Sequence, residues 1–85
     1  MDTFPILKNA RVIRETMKAV QICVYVEGLH ENGDTYVGVQ NIWVPKDVCF
    51  QKNDGIHVLD EVLSKKEEDI ASRYHLSICG ISVED

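Results

Sequence analysis

An Asn32-Gly33 pair lies between two β-branched runs, one ending at Val26 and the other opening at Thr35 and closing at Pro45. Asn-Gly is a strong hairpin signal, because both residues tolerate positive φ. With these two residues as the turn, Glu31 faces Asp34, Val26 faces Val39, Val24 faces Asn41 and Ile22 faces Trp43. Side chains alternate across a strand. That register puts Val20, Ile22, Val24, Val26, Val39 and Trp43 on one face, expected to be the core, with Asn41 as its polar member. The opposite face then carries Cys23, Tyr25, Tyr36, Ile42 and Val44, with Gln21, Gly38 and Gln40 among them. A fully solvated face would be more polar. Both faces are therefore expected to be covered, by other parts of the chain or by another subunit.

The remaining segments read more simply. Phe4-Pro5-Ile6-Leu7 is an extended lead-in, since a residue before proline avoids the helical region. Residues 11–16 read as a strand, separate or continuing, with a bend near Thr16-Met17. Pro45 ends the second hairpin strand, because it cannot donate to a ladder. Residues 46–51 fit either a helical turn or a strand, Lys52-Asn53-Asp54-Gly55 is a turn, and residues 56–59 form a short strand. A helix is expected over Asp60 to Tyr74, where Val62, Leu63, Ile70 and Tyr74, with Leu59 just before them, follow a helical stripe, with Asp60 as N-cap and Ser64 an alternative start. His75 to Val83 closes the chain as a strand whose phase slips at Gly80.

These elements make one α+β domain over residues 1–85: a small bent antiparallel sheet of four or five strands, with barrel-like closure as an option, and one packed helix. A chain of 85 residues buries roughly 60–65% of its unfolded surface, so the core is small. With 45% hydrophobic and 27% charged residues it reads as an ordinary globule and not a disordered segment. No apolar run approaches the ~18 residues of a membrane span. The first residues lack a basic stretch followed by a long apolar one, so the expected location is cytoplasmic.

Chemistry-bearing residues are sparse. Cys23, Cys49 and Cys79 are odd in number and form no C-x-x-C pair, which argues for reduced thiols over a disulfide framework or zinc ribbon. His75 and Cys79 are spaced for a helix but fall on a strand, and His30 and His57 lie elsewhere, so no metal or other cofactor is expected. Cys49 with His57 is the best candidate for a nucleophile and base, yet nothing in the spacing brings them together. The five glycines are scattered and none opens a helix, so there is no phosphate loop. The expectation is a protein without catalytic residues.

Charge is unevenly placed on a chain of net −5. Residues 1–26 carry +2, with Lys8, Arg11, Arg14 and Lys18 as a basic strip, while 27–59 carry −3 and 60–85 carry −4. An acidic chain is repelled by nucleic-acid phosphate, which favours protein partners over direct nucleic-acid binding. Candidate partner-binding residues are Tyr25, Tyr36 and Ile42 on the second hairpin face, as a partner site or a homodimer contact, together with the acidic run Glu67-Glu68-Asp69.

The segments Thr16-Met17-Lys18-Ala19 and Trp43-Val44-Pro45-Lys46-Asp47 give the chain a familiar plan. Over residues 14–72 it resembles small uncharacterised proteins of phages and mobile elements. Those have a strand opening near Thr-x-Lys-Ala and a later strand ending in Trp-Ile-Pro-Lys-Ser, followed by a short strand and a helix. Val44 and Asp47 depart from that motif. The resemblance implies a small accessory protein that binds a host protein, and it assigns no functional residue. Combined with the acidic charge, the leading expectation is an inhibitor or regulator of a host nucleic-acid-handling or defence enzyme, in the manner of an anti-CRISPR. The alternative is a nucleic-acid-binding accessory domain using Lys8, Arg11, Arg14 and Lys18.

Overall fold

A computed structural model describes residues 2–84. The long hairpin is the frame: β2 (Ala19–His30) runs antiparallel to β3 (Thr35–Pro45). On its other side β2 pairs first with β1 (Arg11–Glu15) and then with the C-terminal β6 (Leu76–Ile81), both antiparallel. Between β3 and β6 the chain makes a 3-10 turn at Lys46–Val48, a small hairpin of β4 (Cys49–Lys52) and β5 (Gly55–Val58), and the helix α1 (Asp60–Tyr74). Among the described residues the architecture is α+β, a four-stranded sheet and a second two-stranded one with one α-helix, and the sheet stays open without closing into a barrel.

The hairpin register differs by one residue from the one expected. Val26 faces Gly38, Val24 faces Gln40 and Ile22 faces Ile42. The cause is the turn. The His30 carbonyl accepts from the Gly33 amide at 2.9 Å and the His30 amide donates to Asp34 at 2.7 Å, so three residues, Glu31, Asn32 and Gly33, form the loop. Gly33 alone in this loop has positive φ, +94°, as in a type I turn followed by a glycine bulge, and not the two-residue turn with both centres left-handed. Asn32 contributes through its side chain, which accepts from the Asp34 amide at 3.0 Å.

One added residue exchanges the faces of β3. The core face holds Val20, Ile22, Val24 and Val26 with Ile42 and Val44, closed by Leu63 and Ile70 of α1, Leu7, Ile56, Val58, Leu76 and Ile81. Val39 and Trp43, expected inside, lie outside. Gln40 replaces Asn41 as the polar residue on the inner side, and its amide donates to the Tyr36 hydroxyl at 2.9 Å.

Other boundaries are close to expectation. The 46–51 segment holds both of its alternatives in turn, a 3-10 turn and then β4. The helix begins at Asp60, with Leu59 in the cap position and no side-chain cap, and its first turn carries Asp60 and Glu61 near the positive helix end. In β6 the register shifts at Ser77, whose hydroxyl donates to the Leu29 carbonyl at 3.3 Å, and Gly80 keeps its place opposite Glu27.

Candidate functional site

The outer face of the main sheet is built from the odd-numbered residues of β2 and β3. Pairing across the strands orders it in rows: Arg14, Gln21 and Trp43, then Arg11, Cys23 and Asn41, then Tyr25 with Val39, Glu27 with Val37, and Leu29 between Thr35 and Ile78. Large apolar side chains stay exposed here, with Val37 at 68%, Ile78 at 60%, Val39 at 54% and Tyr25 at 44% of their surface in water. Trp43 keeps 39%. The helix packs on the inner face through Leu63 and Ile70 and leaves this side bare. Scattered apolar residues on a surface are ordinary, whereas a contiguous apolar face rimmed by charge marks an interaction site.

The structure splits the sequence-derived partner residues. Tyr25 is on the outer face as expected. Ile42 is 3% exposed and belongs to the core, because the register shift turns it inward beside Ile22. Tyr36 also points inward, packed between Tyr74 at 5.5 Å and His30 at 5.8 Å. Of the acidic run, Glu67 is engaged: its carboxylate accepts from the Ile81 amide at 2.7 Å, tying α1 to β6. Glu68 and Asp69 are exposed on the helix, away from the outer sheet face. Reading the sequence missed Val37, Val39, Trp43 and Ile78 as surface residues. The turn type could have revealed the three on β3, whereas the face of Ile78 follows from the register shift at Ser77 in β6.

The basic strip is partly assembled. Arg11 and Arg14 occupy outer-face positions of β1, the latter in line with Trp43. Lys8 lies by the Tyr25 end of the face, its amide donating to the Ser82 carbonyl, while the Ser82 amide donates to Tyr25. Lys18 sits at the β1–β2 turn, where its carbonyl accepts from the Lys46 amide.

The cysteine and histidine positions do not converge. Cys49 pairs with Val58 and Phe50 with His57, so Cys49 and His57 point to opposite sides of the small hairpin. Burial pushes the Cys49 thiol up, and the Glu15 carboxylate adds to this; burial and then Glu67 do the same for Cys79. Both thiols thus hold less nucleophilic thiolate at neutral pH than a free cysteine. His57 donates instead to Asp54 at 2.7 Å, and that hydrogen bond holds the Asp54 carboxyl below its ordinary range. Among the described residues no three His, Cys, Asp or Glu side chains cluster to hold a metal, and no helix is long and apolar enough to cross a membrane. No family model, no curated protein and no solved structure matches the chain.

Proposed function

We propose that this protein is a non-enzymatic binding module that docks a partner protein on the outer face of its main sheet. The observation that supports this is the bare outer face, where Tyr25, Val37, Val39, Trp43 and Ile78 are exposed with Gln21, Asn41 and Glu27 among them and Arg11 and Arg14 at its border. Aromatic and arginine side chains are the groups most enriched where proteins meet, because they desolvate large areas at fixed geometry. The physiological role in this reading is that of a phage or mobile-element inhibitor or regulator acting in the host cytoplasm on a nucleic-acid-handling or defence enzyme, anti-CRISPR-like. The exposed acids Glu68 and Asp69 on α1 form a second surface, suited to a basic partner and to faster encounter.

Affinity capture from host lysate tests the reading, with the wild type beside a Tyr25→Ala/Trp43→Ala variant. A captured protein that the variant loses, while its unfolding midpoint stays near wild type, supports the face as the docking surface. Equal capture by both proteins refutes it. A second reading is favoured by Arg14 standing in line with Trp43: single-stranded nucleic acid stacked on the aromatics with its backbone along Arg11 and Arg14. Quenching of Trp43 fluorescence by an oligonucleotide, weakening steeply with salt, separates this from protein docking.

A further inference from the structure

β3 pairs with β2 along one side, and among the described residues no strand pairs with its other side. The hydrogen bonds at its two ends fix which groups face outward. His30 donates to Asp34 at one end and Lys46 to Lys18 at the other. Antiparallel ladders alternate bonded and non-bonded pairs. The even-numbered residues of β3 therefore bond to β2, while Thr35, Val37, Val39, Asn41 and Trp43 aim their amides and carbonyls at the free edge, Thr35 to Trp43 being residues of the same unbroken ladder.

Sheet edges are commonly guarded by charge, proline, a bulge or short length. β1 and β4 are guarded in this way. β1 has five residues, three of them charged, and a register shift between Val12 and Arg14, and β4 has four residues ending in Lys52. β3 has eleven residues, no register shift, no charged side chain and no proline before its last position.

We propose that this edge pairs with the β3 edge of a second copy, antiparallel about a two-fold axis at Gln40, so that two sheets become one. This goes beyond the docking role of the outer face and does not depend on what binds there. Opposite charge at the two ends of the hairpin selects the antiparallel second copy. Glu31 and Asp34 lie at its tip, and Lys18 and Lys46 at its base, where Lys46 also reaches Glu15 at 3.5 Å. Antiparallel pairing brings each acidic tip to Lys18 and Lys46 of the second copy, which stand there beside Glu15 and Asp47, and a C2 contact does this twice.

The same charges choose the register. Outward-facing residues must oppose outward-facing residues, which leaves only every second offset. With the axis at Gln40, Asp34 opposes Lys46, Val37 opposes Trp43 and Val39 opposes Asn41. An axis at Val39 sets Asp34 against Val44, and one at Asn41 sets Lys46 against Tyr36, so both leave the end charges unmatched. The net charge of −5 on each chain opposes association, but over a screening length of about 8 Å at physiological salt the end pairs act locally. The joined sheet merges the two outer faces into one surface across the axis, with Val37, Val39, Asn41 and Trp43 of both copies along the seam.

Sedimentation equilibrium and concentration-dependent amide exchange by NMR test this together. The expected result is a dimer in which the Val37, Val39, Asn41 and Trp43 amides gain protection as concentration rises, while those of Gly38, Gln40 and Ile42 are protected throughout. A monomer up to about 1 mM, the weak end of the affinity scale, overturns the proposal. So does a dimer whose odd-numbered amides stay unprotected, or protection that appears only when a different protein is added. Val39→Pro removes an outward amide that the β2 ladder does not use, and is expected to give a folded monomer; a dimer that survives it counts against the edge. Because proline can also disturb the fold, Asp34→Lys and Lys46→Asp are made singly and together. Each alone is expected to weaken the dimer about tenfold and the pair to restore it, about 1.4 kcal/mol each way. Failure of the double variant to recover rejects the Gln40 register. A monomer that still captures its partner through Trp43 overturns edge pairing alone, and a dimer that captures nothing overturns the docking reading alone.

Discussion

Ile42 and Trp43 are neighbours in β3 with opposite surroundings. Ile42 is 3% exposed and sits against Ile22, while Trp43 keeps 39% of its surface in water. Truncating the first leaves a cavity in the core, whereas truncating the second removes area that is already partly wet. Ile42→Ala is therefore expected to cost about 2–5 kcal/mol, and Trp43→Ala about 1 kcal/mol or less. Urea unfolding followed by circular dichroism measures both, and a larger loss at Trp43 would contradict the register. The residue that sets this contrast is Gly33. At φ +94° it adds a third loop residue and reverses the parity of every side chain in β3. The strand itself does not reveal which parity is buried. Its odd positions hold Val37, Val39 and Trp43, and its even positions hold Tyr36, Ile42 and Val44, so both faces read as apolar. Of the candidate site, Tyr25 is legible because β2 alternates consistently, whereas the placement of Tyr36 and Ile42 depends on the turn.

Among the elements, the helix is the most legible, since its stripe and its length both exceed what a strand can imitate. Its end is not. α1 stops because His75 adopts the left-handed conformation, φ 55° and ψ 50°, with its amide donating to the Ala71 carbonyl. Left-handed C-terminal positions usually hold glycine, which carries no Cβ penalty there. Nothing in the sequence marks a histidine for that role. His75 is exposed, and its carbonyl accepts from the Glu31 amide at 3.1 Å, a backbone contact that any residue preserves. Relieving a left-handed cost of roughly 1–2 kcal/mol, less the roughly 0.4–1 kcal/mol that glycine gains in unfolded-chain freedom, His75→Gly is therefore expected to stabilise the protein by about 0.5–1 kcal/mol net. A raised midpoint in urea at unchanged slope is the supporting result, and a lowered midpoint would show that the imidazole itself holds the helix end.

At the scale of the whole molecule, the unexpected part is the segment before β1, whose sequence reads only as an extended lead-in. It joins the small hairpin to the end of the chain. Ile6 bridges His57 and Leu7 bridges Val83, while the backbone bonds run from Leu7 to Ile56, Val58 to Pro5, Lys8 to Ser82, Glu84 to Ile6 and Asp60 to Thr3. Leu7 is buried among the core residues, and Phe4 packs edge-on against Phe50 at 5.4 Å. These pairings are non-local, and no periodicity within so short a segment announces them. An 85-residue domain has roughly 4–13 kcal/mol of stability at about 0.05–0.15 kcal/mol per residue. Leu7→Ala should remove about 2–5 kcal/mol of it and still unfold in one cooperative step. Deleting residues 2–8 also removes the bonds that hold β5 to the lead-in, leaving Ile56 and Val58 without backbone partners on that side. The shortened chain is expected to show no cooperative transition in urea at about 25 °C, the temperature to which these stabilities refer. A transition at the wild-type midpoint would mean that the two sheets hold together without this segment, through the shared core and contacts such as Gln51 to Glu15.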